Sequence, residues 1–147
     1  MKGRKTSLLK WAAMIELVIG AYNLMTGVMS AYVLITDLDG VMASFADSGV
    51  EYSAAILGVS VAITALGGLI MAVPGGIGMV FSSLQGKQKL PIYCGYGLFA
   101  FVILSDIIQI ATMGAGFSLS MLFPFVLHGF YMWGAVKNKK ELDGAVM

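Results

Sequence analysis

The sequence is poor in the residues on which most catalytic and ligand-binding chemistry depends. It has one cysteine, Cys94, one histidine, His128, and one arginine, Arg4. A lone cysteine forbids an intramolecular disulfide. One histidine and one cysteine cannot supply the three or four ligands of a zinc site, nor the pair that a bis-histidine haem needs. With Arg4 the only guanidinium, bidentate recognition of carboxylate or phosphate has no basis inside the apolar segments. No lysine lies in those segments either, which argues against a buried Schiff base. Charge is also scarce, at 12% of residues against about 25% in a soluble domain. The net charge is +1, so nothing points to nucleic acid. The expectation is a protein without metal, cofactor or nucleic-acid partner, and not an enzyme.

What the chain has in abundance is apolar surface. It is 59% hydrophobic, with a mean hydropathy of +0.88. Both values lie outside the range of soluble domains, so an integral membrane protein is expected, built as one domain over residues 1–147. Charges mark the limits of the spans. Between Lys10 and Asp37 the only charge is Glu16, residues 52–86 carry none, and between Lys89 and Lys137 there is only Asp106. These limits predict an all-α bundle of four transmembrane helices, at about 7–36, 53–84, 91–113 and 118–138, each longer than the roughly 20 residues that cross a bilayer. "TMGAGFS" at 112–118 supplies the last turn. The basic start resembles a signal peptide, but the apolar run is too long and no small-residue cleavage site follows, so it reads as an uncleaved span. "PGG" at 74–76 interrupts the second span. One kinked helix is expected there, because two spans and a turn do not fit in residues 52–86.

All nine basic residues fall near the N-terminus, in the loop after span 2, or after span 4. The loop between spans 1 and 2 is instead acidic, with Asp37, Asp39, Asp47 and Glu51. The positive-inside rule therefore predicts a multi-pass protein of the cytoplasmic membrane with both termini in the cytoplasm. Trp11 and Trp133 stand beside Lys10 and Lys137 as interfacial aromatics. "DLDG" at 37–40 resembles the start of a calcium loop, but Val41, Met42 and Ser48 occupy the later ligand and glycine positions. It reads as part of a solvated outer loop.

The segment "WAAMIELVIGAYNLMTG", residues 11–27, places a carboxylate and an amide in a membrane helix. Glu16, Gly20, Asn23 and Gly27 share one helical face. Glycines let helices approach closely in lipid, and polar groups bond across the contact. Gly68 and Gly76 in span 2 are the expected partners. Asp106 and Gln109 share a face of span 3, and His128 lies in span 4. Counted from the nearest cytoplasmic lysine at 1.5 Å per residue, Glu16 lies about 9 Å deep, His128 about 13 Å, Asn23 about 20 Å and Asp106 about 25 Å. Glu16 and His128 are close enough in height to pair.

Two functions follow from that polar set. In the first, Glu16 with His128 is a strut and the chain is a module for membrane assembly, an accessory subunit or oligomeric scaffold. Its partners would be lipid and either further copies or a larger membrane protein. In the second, Glu16, Asn23, Asp106, Gln109 and His128 carry protons, a cation or a small solute, since intramembrane ionisable residues are functional candidates by default. The lone early glutamate followed by "GGIGMVFSS" resembles in part the small multidrug resistance exporters, whose glutamate binds protons and cationic drug in turn. The order differs, because that glycine motif falls in span 2 here and in span 3 there. The chain is not assigned to that family.

Overall fold

Long runs free of charge and of helix-ending turns give long helices. The computed structural model describes residues 8–49, 51–84, 87–113 and 118–143. The basic residues Lys2, Arg4 and Lys5, Ser7 at the expected start of span 1, and residues 114–117 of the expected last turn lie outside them. Five α-helices account for most of the described chain: α1 Leu8–Thr36, α2 Leu38–Asp47, α3 Ala54–Phe81, α4 Lys89–Met113 and α5 Leu122–Asp143. A 3₁₀ turn, Leu119–Met121, leads into α5. Four of the five are long and apolar enough to cross a membrane, and only α2 is not.

Local signals explain the ends. Ser53 caps α3 by accepting a hydrogen bond from the Ile56 amide at 3.3 Å, as N-cap serines do. Pro91 and Pro124 sit in the first turns of α4 and α5, where a missing N–H costs nothing. Pro74 lies inside α3, which nevertheless stays one helix. The interval between α1 and α3 departs from expectation, for it is a helix and not an open loop. "DLDG" is its start: the Asp37 carboxylate accepts from the Gly40 amide at 3.2 Å. Asp39 follows in the first turn, where a negative charge favours the helix dipole. The acids here remain exposed. Val41 and Phe45 turn inward, and with Leu34 and Leu57 they help to line a cavity of about 400 Å³ between α1, α2 and α3.

The helices form a closed square. α1 packs on α3 and α5, and α4 packs on the same two. Contacts run in opposite numerical order, Gly27 against Ala65 and Gly75 against Leu17, so α1 and α3 are antiparallel. Leu9 against Gly134 and Gly95 against Met132 give the same relation for α1 with α5 and for α4 with α5. The result is an up-down-up-down bundle. Its core gathers at the end that holds the α1 N-terminus, from Leu9, Ala12, Ala13, Met71, Leu98, Leu127, Tyr131 and Ala135.

The tightest seam is α1 on α3. A Cβ on Gly20 would collide with the backbone of Gly68 and Ala72, and one on Gly68 with Leu24. A Cβ on Gly27 would lie 2.6 Å from the Ala65 backbone. Gly76 is a correction: nothing lies within 4 Å of its Cβ position, whereas one on Gly75 would stand 2.5 Å from the Leu17 nitrogen. The helical turn sets which glycine of the pair faces α1, and it is the first.

Candidate functional site: a buried acid–base pair and a polar clasp

Glu16 projects from α1 toward α5, on the same face as Gly20 and Gly27, and meets His128. The Glu16 Oε1 to His128 Nδ1 distance is 2.6 Å. Both side chains are enclosed, at 0% and 1% exposure. An isolated charge here would be very costly, so the carboxylate and imidazole are tolerable only together. Phe99 of α4 lies edge-on to the imidazole, with ring centroids 6.2 Å apart. One helical turn along α5, the Tyr131 hydroxyl donates to the Pro74 carbonyl at 2.8 Å. Gly78 makes room for that ring, since a Cβ there would lie 2.8 Å from Tyr131. The pair thus bridges α1 to α5, Tyr131 ties α5 to α3, and Phe99 brings in α4.

The pair is not fully satisfied. Glu16 Oε2 and His128 Nε2 are buried and have no hydrogen-bond partner among the described residues. Such orphaned atoms require an explanation, an ordered water being the commonest.

The other polar residues do not extend this pair into a ladder. Asn23 directs its amide to the Met71 sulfur at 3.9 Å, a weak contact on the α1–α3 seam. Asp106 and Gln109 are half-buried on α4, and among the described residues no hydrogen bond joins them to each other or to the pair. The expected outer-end network between these two is therefore absent from the described contacts. Residues three apart share a face, but their side chains need not meet. No group of three or more metal-ligating side chains occurs among the described residues.

A second buried polar cluster was not foreseen from the sequence. Gln88 donates to the carbonyls of Phe81 and Leu84 at 2.7 and 2.6 Å. Asn138 donates to the Ser82 carbonyl and to Gln88 Oε1, both at 2.8 Å. Both amide groups spend both protons. They satisfy carbonyls that a helix C-terminus leaves without partners, and they clasp α3, the start of α4 and α5 together. Only the position of Gln88 and Asn138 among lysines hinted at this, and that position reads as solvated.

No family model matches the chain, and comparisons with curated proteins and with solved structures return no significant match.

Proposed function

We propose that this chain is a small multi-pass membrane module that serves assembly, as an accessory subunit or scaffold, with both termini and the 85–90 loop on the cytoplasmic side. The observation that carries the reading is the Glu16–His128 pair. Its acid and base meet at a helix–helix contact, at 2.6 Å and almost without exposure. A group that must load and release an ion needs a second arrangement or a hydrated route. A closed pair as fully buried as the core residues Leu9, Leu98 and Tyr131 is better suited to hold helices in place. The apolar outer faces of α1 and α4 are left for lipid and for partner helices.

A second reading is favoured by the orphaned Glu16 Oε2 and His128 Nε2. Water at these atoms would give the pair a path for a proton, and the chain would then be a proton- or cation-coupled carrier. Liposomes holding the purified protein and a pH-sensitive dye separate the two. The assembly reading expects proton flux no greater than in empty vesicles under an imposed pH gradient. Flux that disappears in Glu16→Gln, with the fold retained, overturns it in favour of the carrier.

A further inference from the structure

Asp106 is the ionisable residue inside a span that the bundle leaves without a partner among the described residues. It stands about 10 Å before the end of α4 at Met113 and about 25 Å past Lys89, at 1.5 Å per residue, within a helix apolar enough to cross a membrane. Its carboxylate makes no hydrogen bond or ion pair among the described residues, and it is only half-buried. Around it α4 presents Ile103, Ile107 and Ile110, exposed by 49%, 58% and 39%, with half-buried Gln109 one turn further on. This face covers none of the core.

We propose that the outer half of α4 is a docking face for a membrane-spanning helix of a partner protein, one that carries a lysine or arginine at the depth of Asp106. The inference rests on the assembly reading and names the partner's chemistry. An acid inside a bilayer is costly unless it meets a cation, a proton or water, and such residues usually pair. This chain cannot supply the cation. The described lysines lie at the start of α1, around the start of α4 and after Trp133, away from the outer half of α4, and the other basic residues, Lys2, Arg4 and Lys5, precede them in sequence. The one histidine is already bound to Glu16. A second copy in the same orientation has the same deficit, and would bring carboxylate against carboxylate. The complement must come from a different chain, with small or apolar residues around its cation to pack on the isoleucines.

The test uses the full chain in lipid vesicles, labelled for fluorescence transfer to a synthetic leucine–alanine transmembrane helix. One peptide carries a single lysine about 10 Å from its outer end, a depth set by the helical rise. The other carries leucine there. The lysine peptide is expected to bind roughly three- to twentyfold more tightly, the range of interhelical polar contacts in membranes. Asp106→Asn should abolish the preference and Asp106→Glu should keep it. Asp106→Asn should also leave the melting temperature unchanged, because the carboxylate bonds to nothing among the described residues. Should that variant fail to fold, the depth scan decides: in wild type, moving the lysine toward the cytoplasmic end must remove the preference.

Equal binding of both peptides, a preference that survives Asp106→Asn, or one indifferent to lysine depth overturns the proposal. Self-association that depends on Asp106 also overturns it, by assigning the face to a second copy. Proton flux measured on the same vesicles separates the two levels. Flux lost in Asp106→Asn removes the assembly reading itself, whereas a lack of preference without flux removes only this face.

Discussion

At the scale of single residues, the Glu16–His128 contact is the strongest commitment the chain makes. Two groups that water solvates well are placed where neither is exposed, so each depends on the other. Glu16→Gln or His128→Gln leaves one partner without its complement. In the strict buried-pair limit each change should cost about 3–5 kcal/mol, and less where water enters. The double variant should recover part of the sum, because residues in direct contact are coupled. Melting of both single variants and the double in detergent measures this, and strictly additive losses would sink the strut. The clasp offers a sharper contrast. Asn138 donates to two acceptors, Ser82 O and Gln88 Oε1. Asn138→Ala strands both, at about 1–3 kcal/mol for each buried group left unpaired. Asn138→Asp has almost the same shape but sets a third acceptor against those two, and it should melt below Asn138→Ala. The reverse order would show that the clasp is open to water. The first of these sites was legible by counting, since Glu16 and His128 lie at similar depths from their nearest lysines. The second was not. Nothing in "SSLQGKQKL" or "WGAVKNKKEL" says which polar residue turns inward, because that depends on how three helix ends converge.

At the scale of elements, charge-free runs fixed the four long helices within a few residues, since lipid leaves a backbone no alternative but the helix. α5 nonetheless runs to Asp143, past the expected end at 138, because its lysines continue the helix outside the apolar region. α2 was missed for a related reason. Its signals are an N-cap and a short apolar stripe at Leu38, Val41 and Phe45, and acids outnumber both in a composition reading. The glycine stripe on α1 was visible as spacing, but its partner surface was set by rotation of α3, which spacing cannot resolve to one residue. This yields a paired test. Gly75→Leu should force α3 off α1, since its Cβ alone would lie 2.5 Å from the Leu17 nitrogen, and overpacking of this kind costs about 1–3 kcal/mol or more. At Gly76, the adjacent position, a Cβ would meet nothing within 4 Å, and Gly76→Leu should be neutral or better, because leucine is a stronger helix former than glycine by roughly 0.8 kcal/mol. Equal melting of the two variants in detergent would reject the packing of the α1–α3 seam.

At the scale of the whole molecule, the distribution of charge and the location of the core describe the same asymmetry. The buried clusters, the clasp and the described lysines gather at the end that holds the α1 and α4 N-termini. The opposite end carries α2, its acids and the cavity beneath it. Both Trp11 and Trp133 are more than half exposed and stand at the basic end, as side chains at a membrane–water boundary do. A bilayer that receives such a chain retains lysines on the cytoplasmic side, and acids count for little in that choice. Single cysteines in a Cys94→Ser background give the measurement, with an impermeant thiol reagent applied to intact cells. The positions must be accessible in the fold. Gln88 is unsuitable, since it is 2% exposed and holds the clasp, so the loop is probed at Lys87 and the C-terminal end at Lys140. Ser44 on α2 reports the other side, and all three positions are exposed. Ser44→Cys should label on intact cells, while Lys87→Cys and Lys140→Cys should label only after the membrane is opened. Because α3 lies between Ser44 and Lys87, and α4 and α5 together lie between Lys87 and Lys140, the three sites count spans as well as fix their direction. Labelling of Lys87→Cys without Ser44→Cys would invert the orientation, and labelling of Lys140→Cys together with Ser44→Cys, but not of Lys87→Cys, would mean that only one of α4 and α5 crosses.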